Sequence, residues 1–223
     1  MVPATTASVE WTTAASLATA AGTLVLAIAT FASVRSANRD ARGAERGLEQ
    51  RTVPLLFASR LEDATQKIRW GDDHWARLEG GRAVVEDVDR QLYMAISLRN
   101  VGNGNAVLSS WQVGEPPPFG AGSRERPDPD AFRPQQRDLY VPSGDVAFWQ
   151  AALRDPGDPD AAMVRKAMSE RTGLFVDLCY SDYQGAQRTI SRFSLSPYGE
   201  GPPSWFCSVV LHWTLDRSDP RPH

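Results

Sequence analysis

The sequence is poor in the residues on which many functional sites depend. Only two of its 223 residues are cysteine and three are histidine. Two cysteines are too few for a scaffold built on disulfides, and no cysteine or histidine spacing matches a zinc ribbon or a zincin helix. Lysine occurs only at Lys67 and Lys166, so 22 of the 24 basic residues are arginine, and the net charge is −3. This balance argues against a nucleic-acid partner, because phosphate contacts require a basic surface.

Motifs for catalysis and cofactor binding are missing as well. There is no phosphate loop and no nucleophile elbow. The Gly102-Asn103-Gly104 turn has glycines like a dinucleotide loop, but a predicted strand follows it, so no helix N-terminus is available for a phosphate. The acidic pairs Asp72-Asp73 and Asp128-Pro129-Asp130 are typical of solvated turns, and His74 and His212 are predicted to lie in a turn and at a strand rim. We therefore expect no enzyme, no cofactor and no metal.

Charge is absent from Thr12 to Val34. As a helix this stretch would extend roughly 35 Å, enough for a hydrocarbon core of about 30 Å. It predicts a transmembrane helix at 12–34 after a short tail at 1–11. A cleaved signal peptide is the alternative, since Ala27-Ile28-Ala29 has the form of a cleavage site. The first eleven residues contain no Lys or Arg, however, and a secretory signal requires them.

Arginine follows this stretch directly, and no basic side chain precedes it. The positive-inside rule predicts a single-pass plasma-membrane protein with its N-terminus outside and its C-terminal domain in the cytoplasm. The residues at 35–51 are predicted to form a helical stalk. One stripe of the stalk is a predicted membrane-surface site, with an ordinary stop-transfer flank as the alternative. The stripe consists of Arg35, Arg39, Arg42 and Arg46.

The predicted span also offers a surface for another copy of itself. Small residues at a spacing of four allow two helices to approach closely in a bilayer. This series consists of Ala14, Ala18 and Gly22. It predicts a weak homodimer through the anchor.

Past Gln50 the pattern changes from helical to alternating, which is typical of strands. The predicted strands are Val53–Ser59, Lys67–Trp70, Trp75–Glu79, Ala83–Val88, Leu92–Arg99, a strand through Val107, Trp111 and Val113, Leu139–Phe148, Leu174–Ser181, Gln187–Leu195 and Trp205–Leu215. Short strands joined by local turns indicate antiparallel pairing. The expected fold class for 52–216 is therefore mainly β, an antiparallel β-sandwich with one short helix, for which an immunoglobulin-like arrangement is one option.

Two other segments stand out in this domain. Asp158 is suited to cap a helix, Pro159 to be its first residue and Gly173 to end it. Its apolar stripe is predicted to pack on the sheet edge or barrel mouth and consists of Ala161, Val164, Ala167 and Met168. The stretch at 114–136 contains six prolines and no periodicity, so it is either a proline-rich recognition loop or a surface insertion. The tail at 217–223 is expected to be disordered.

The alternation predicts which way each cysteine points. Cys179 lies on the face opposite the apolar residues of its strand, with Asp177. Cys207 lies on the apolar face of the last strand, together with Val209, Leu211, Trp213 and Leu215. Because a disulfide requires two facing sulfurs, we expect two free thiols.

Two short motifs give the chain a family resemblance. They are Val34-Arg35-Ser36-Ala37-Asn38-Arg39 after the span and Leu98-Arg99-Asn100-Val101-Gly102-Asn103-Gly104 in the β domain. With this order of parts the chain resembles uncharacterised actinobacterial single-pass membrane proteins. The resemblance implies an anchor followed by a β-sandwich-like domain, and it assigns no functional residue.

These patterns favour a membrane-anchored, non-catalytic interaction module that meets the lipid bilayer and an unknown protein partner. The alternative is a membrane-tethered sensor whose sandwich binds a small ligand between its sheets. An apolar cavity lined by Trp70, Trp111 or Trp149 would favour this alternative. An enzyme with a site built from distant carboxylates is the third hypothesis.

Overall fold

A computed structural model describes residues 21, 23, 24, 26–38, 53–116, 125–199 and 204–216. The chain divides into two compact units, Met1–Gln50 and Arg51–His223. In the first unit the described residues, all between 21 and 38, are helical. No helix in the described ranges is long and apolar enough to cross a bilayer. The predicted tails at 1–11 and 217–223 and the small-residue series lie outside the described residues, as do most of the predicted stalk and part of the predicted span.

The second unit is built from eleven described strands and one α-helix. The strands are β1 Leu56–Ala58, β2 Gln66–Arg69, β3 Trp75–Leu78, β4 Arg82–Val88, β5 Gln91–Asn100, β6 Ala106–Gly114, β7 Arg133–Val141, β8 Val146–Leu153, β9 Leu174–Ser181, β10 Thr189–Tyr198 and β11 Ser204–Thr214. The helix, called the domain helix below, is Pro159–Glu170, and a 3₁₀ turn occupies Pro129–Ala131. The expected mainly β class is confirmed.

Nine of these strands form one curled antiparallel sheet. Its order is β8-β5-β4-β11-β10-β9-β6-β7. The short strand β1 pairs with the same edge of β5 as β4 does, beyond the end of β4. The main core joins side chains from both halves of the sheet, from Met94 and Trp149 on one side to Leu178 and Phe193 on the other. The curled sheet therefore encloses its core as a sandwich-like fold, and β7 and β8 are its two end strands.

The strand β5 is buried on both faces. Its even-numbered residues from Leu92 to Leu98 point into the main core. On the opposite face Tyr93 and Ala95 are covered by Ile68 and Leu78 from the β2–β3 hairpin. This hairpin is a second, two-stranded sheet, and it removes the outer face of β5 from solvent.

A bulge in β11 changes the direction of its side chains. Arg192 of β10 pairs with Leu211, but the next residue, Phe193, pairs with Val209. One extra residue in a strand moves everything beyond it to the other face. Cys207 therefore faces the main core, whereas Trp213 packs with Cys179 in an outer cluster. The prediction that Cys207 shares a face with Leu211, Trp213 and Leu215 was wrong, whereas both cysteines are free thiols as expected.

Two predicted boundaries differ from the structure. The expected strand Leu139–Phe148 is the end of β7, a turn at 142–145 and the start of β8. Residues 117–124 of the expected loop at 114–136 lie outside the described residues, and the rest of it contains the 3₁₀ turn and the first residues of β7. Proline is tolerated there because Pro134 lies in a strand at the end of the sheet.

The domain helix begins as predicted and ends earlier. The Asp158 side chain accepts the backbone N–H of Asp160, and proline follows the cap. The helix ends at Arg171 in the left-handed conformation, with φ of 53°, and not at Gly173. The stripe is buried as expected: Ala161, Val164 and Ala167 join the main core, with Met168 packed against it.

Asn100 organises the turn after β5. Its buried side chain accepts the backbone N–H groups of Leu55 and Gly102 and donates to the carbonyls of Gly104 and Val141. A Cβ at Gly102 would collide with the main chain of Val53 and Leu55. Asn100 and Gly102 of the second motif thus have a structural role in this chain.

Candidate functional site

The end strands β7 and β8 leave an open groove between them, which we call the seam. β7 pairs with β6 and β8 with β5, and no other strand in the described part of the chain pairs with either. The groove has a volume of about 520 Å³ and reaches inward as far as Trp111. A volume of several hundred Å³ is typical of ligand-binding clefts.

A large bulge in β7 forms one wall of the seam. Leu108 of β6 pairs with Leu139, whereas Ser110 pairs with Pro134, so residues 135–138 of β7 oppose Ser109 alone. Side chains in the excess stretch turn toward β8: the Gln135 amide donates to the Gln150 carbonyl oxygen at 3.2 Å. Bulges of this kind re-aim side chains and are frequent beside functional sites.

The floor of the seam is aromatic and apolar. Trp111 is 6% exposed and meets Trp149 edge to face, with ring centroids 5.3 Å apart. Trp149 is itself fully buried, and its indole N–H donates to Gln135. Trp70 forms the outer side of the groove and donates its indole N–H to the Ala151 carbonyl. The indoles are thus fixed in place, and a flat apolar group could pack against them.

Three arginines line the rim, and two are neutralised. Arg133 donates to both Asp158 and Asp160, and the hydrogen bond that it donates to Asp158 raises the pKa of its guanidinium. Arg154 is paired with Asp72. Arg137 forms no ion pair with any residue that the structure describes. The rim therefore has one positive charge available to a ligand.

The carboxylates that neutralise the rim are held in their charged form. Burial alone would raise the pKa of Asp158, but the hydrogen bonds from Arg133 and from the Asp160 N–H outweigh it and lower the pKa. The pKa of Asp72 is also lowered, first by the hydrogen bond from the Tyr93 hydroxyl. Neither acid is suited to donate a proton at neutral pH, which favours binding over acid catalysis here.

One polar atom of the seam has no hydrogen-bond partner among the described residues. The Gln150 Nε2 donates to the Arg69 carbonyl oxygen at 3.5 Å, whereas its Oε1 is buried and accepts no hydrogen bond within the described ranges. Such atoms are uncommon, since most buried polar side-chain atoms have a partner. A bound N–H group would satisfy it.

The two described histidines, His74 and His212, lie outside the seam. His74 stacks on Tyr93 with ring centroids 4.0 Å apart, and its Nε2 lies 2.9 Å from the Glu86 carboxylate. No group of three or more potential metal ligands occurs among the residues that the structure describes.

A second polar network has the elements of a nucleophile and a base. The Ser191 hydroxyl lies 2.6 Å from His212 Nδ1 and 2.8 Å from the Tyr180 hydroxyl, which accepts the Leu56 N–H. Burial raises the pKa of Tyr180 to about 12. Ser191 is fully buried and lines none of the described cavities, so substrate has no access to it. The network instead joins β1 to β9, β10 and β11. His212 is half-buried, which agrees with its predicted place at a strand rim.

The predicted membrane-surface arginines are described only at the first position. Arg35 is exposed on the N-terminal helix, and Arg39, Arg42 and Arg46 lie outside the described residues. The same helix exposes large apolar side chains, including Leu24, Leu26 and Phe31, at 64%, 68% and 69%.

Comparisons with known proteins give no functional assignment. No protein-family model matches the chain. No curated protein and no solved structure matches it.

Sequence reasoning did not predict the seam. Trp70 and Trp111 are expected only as the lining of an apolar ligand cavity, and Arg133 and Arg137 fall in or beside the proline-rich stretch. The signal that could have indicated a rim is the polar run Arg133-Pro134-Gln135-Gln136-Arg137 directly before an apolar strand. Only the curl of the sheet places that run against β8.

Proposed function

We propose that this chain is a non-catalytic interaction module held at a membrane by its N-terminal helix, with the seam as its binding surface. The proposal rests on one observation: two end strands with unpaired edges flank a groove with an indole floor and an available arginine, Arg137. Unpaired strand edges are the surfaces on which extended peptides add a further strand. The immunoglobulin-like variant of the sandwich stays a prediction.

The groove chemistry favours an extended peptide with aromatic and acidic residues. The floor at Trp70 and Trp111 suits an aromatic side chain. Arg137 suits a carboxylate, and Gln150 Oε1 suits a peptide N–H. A basic peptide would meet the positive charge of Arg137 and would find Asp158 and Asp72 already paired with Arg133 and Arg154.

The first prediction concerns Arg137. We expect the full chain in detergent to bind a fluorescein-labelled peptide of alternating phenylalanine and glutamate, and to bind a phenylalanine–lysine peptide much more weakly. The variant Arg137→Ala should weaken binding about fivefold, corresponding to about 1 kcal/mol for one charge contact, and Arg137→Glu by more. Fluorescence anisotropy measures both.

The matched control is Arg60→Ala, which removes an exposed arginine outside the groove. It should leave the affinity unchanged. Equal losses in the Arg137 and Arg60 variants would show that net charge alone attracts the peptide, and the seam would then not be the binding surface.

A small-ligand sensor is the second candidate, and the groove volume of about 520 Å³ favours it. The size of the ligand that binds the seam distinguishes the two functions. If indole-3-acetate stabilises the chain against thermal unfolding whereas indole-3-acetamide does not, and the peptide fails to bind, the ligand-binding function replaces the interaction module.

The anchor is supported by the N-terminal helix. Leu24 and Leu26 are two residues apart, roughly 200° around the helix axis, and both are exposed, so apolar side chains point to opposite sides. The Thr30 hydroxyl donates to the Leu26 carbonyl at 2.7 Å, which satisfies a polar group that lipid cannot. A soluble helix would instead show one polar face.

The second prediction tests the anchor and its direction. The full chain should remain in the membrane pellet after alkaline carbonate extraction, and deletion of residues 12–34 should move nearly all of it to the supernatant. A reporter fused to the C-terminus should be active in the cytoplasm. Full-length protein that carbonate releases, or a mature N-terminus after Ala29, would contradict the anchor.

A further inference from the structure

The β2–β3 hairpin covers β5 with one face and leaves the other face to solvent. Ile68 and Leu78 are fully buried and pack with Tyr93 and Ala95 of β5. Side chains alternate along a strand, so every second residue of the hairpin points outward. The outward side chains, all of them exposed, are Lys67, Arg69, Trp75 and Arg77. We call this surface the hairpin face.

The hairpin face is basic, although the net charge of the chain is −3. Neither of its strands contains an acidic residue, and the next one along the chain, Glu79, lies beyond the end of β3. Arg69 pairs with Asp73 in the turn. Lys67 and Arg77 form no ion pair with any residue that the structure describes. Two positive charges of the hairpin face are therefore available to a partner.

These two charges lie directly opposite each other. In the register of the hairpin Lys67 pairs with Arg77, and Arg69 pairs with Trp75. Like charges at opposite positions of two paired strands destabilise the pair. An anion bound beside both side chains would remove this repulsion, so the register indicates a negatively charged partner.

Trp75 adds a large apolar group to the same face. It is 57% exposed, whereas the other five tryptophans of the described residues are buried. The Arg69 guanidinium carbon lies 5.5 Å from the centroid of the Trp75 ring, which is a cation–π contact. An exposed indole beside basic side chains matches a partner that presents apolar and anionic groups close together.

The headgroup region of an anionic bilayer presents both kinds of group. Tryptophan is enriched at this depth, because its ring is apolar and its N–H is polar. Basic side chains near a negatively charged leaflet are attracted to its lipids. A nucleic acid would need a larger basic surface than two unneutralised charges provide.

We propose that the hairpin face docks on anionic lipid headgroups, with Trp75 at the headgroup level and Lys67 and Arg77 beside lipid phosphates. The choice of lipid over another anion rests on the proposed anchor, which keeps the domain near a bilayer and makes docking an intramolecular step. The predicted cytoplasmic orientation supplies the anionic leaflet. The residues of the hairpin face line no part of the seam.

The test follows Trp75 by ¹⁹F NMR. The full chain, labelled with fluorotryptophan, is incorporated into nanodiscs of phosphatidylcholine with or without phosphatidylglycerol. A phosphatidylcholine with a nitroxide near its headgroup broadens the resonances of nearby fluorine atoms, and Trp75→Phe identifies the Trp75 resonance by its absence. This resonance should broaden at least about fivefold more in the anionic discs, the factor expected from one basic side chain near an anionic surface.

Charge variants distinguish docking from a general attraction to anionic lipid. Lys67→Gln/Arg77→Gln should lower the broadening in anionic discs to the level in neutral discs. The matched control Arg126→Gln/Arg171→Gln removes two exposed arginines of other elements and should change it little. Circular dichroism confirms that each variant is folded. Equal broadening in the two kinds of disc, or equal losses in the two double variants, would overturn the proposal.

Failure of the anchor gives a different result. A chain that does not enter the nanodiscs contradicts the anchor, and the Trp75 resonance is then followed with preformed vesicles of the same two compositions. Broadening by the anionic vesicles alone supports docking by the hairpin face, and no broadening by either overturns it. If polyglutamate shifts the resonance and neither lipid composition broadens it, an acidic protein segment replaces lipid as the partner, and the proposal is overturned.

Discussion

The variant Asn100→Ala is expected to lose about 3–5 kcal/mol of the free energy of unfolding. The reason is that one buried side chain satisfies four main-chain groups, from Leu55, Gly102, Gly104 and Val141. Alanine would leave the two carbonyls without this donor and would remove the link between β1, β5 and β7. Urea unfolding followed by circular dichroism measures the loss. Since domains are stable by about 5–15 kcal/mol, a large part of the chain should be unfolded at moderate denaturant.

Asn103→Ala is the matched control, in the same turn and of the same residue type. The Asn103 side chain is exposed, so its loss should change stability by less than about 0.5 kcal/mol. Asn100→Asp keeps the size of the side chain and removes its N–H donors, so a carboxylate oxygen would face the two carbonyl oxygens. Its folded-state pKa should be raised, so its stability should fall as the pH rises from 4 to 7. Equal stability of the Asn100 and Asn103 variants would contradict the role given to Asn100.

The second large effect is expected for Asp177→Ala, with a loss of about 3–5 kcal/mol. Asp177 is 3% exposed and accepts from Arg192 Nε and Nη2, both at 2.8 Å, and from Gln112. Arg192 packs between the rings of Phe175 and Trp213 on the outer face of the sheet. Removing the carboxylate leaves a buried guanidinium without its counter-charge. Thermal unfolding and urea titration measure the change.

The double variant Asp177→Ala/Arg192→Ala should be less destabilised than the sum of the two single variants, because it leaves no unpaired charge. Glu115→Ala is the surface control, since the Glu115–Lys166 pair is 57% exposed on both sides. We expect a loss below about 1 kcal/mol there. If the loss of stability in the double variant equals the sum of the two single losses, Arg192 stabilises the domain by packing against the rings and not by its charge pair.

Local chemistry predicted the elements that depend on neighbours in sequence. In the β9–β10 hairpin the Asp182 side chain accepts the Ala186 N–H and Gly185 takes a φ of 74°, which is typical of aspartate and glycine in turns. Asp158 caps the domain helix for the same local reason. Such interactions span a few residues, so residue type and spacing are sufficient to indicate them.

Alternation predicts which face of the sheet a side chain occupies only as far as the first bulge or turn. Alternation placed Cys179 correctly, but it cannot reveal the bulge between Cys207 and Leu211, since an extra residue leaves no mark in an apolar strand. The run Leu139–Phe148 failed for a related reason. Pro142, Ser143 and Gly144 form a turn, and the apolar residues on either side of it belong to two strands.

The sequence by itself determined the class of the domain, the helix start, the hairpin turns and the expectation of an anchored chain, because these follow from periodicity, capping and charge near one position. Tertiary structure alone decided the seam. It arises where distant strands of a curled sheet meet, because β7 faces β8. Arg137 and Trp111 come together only through that curl, and no pattern along the chain encodes their distance.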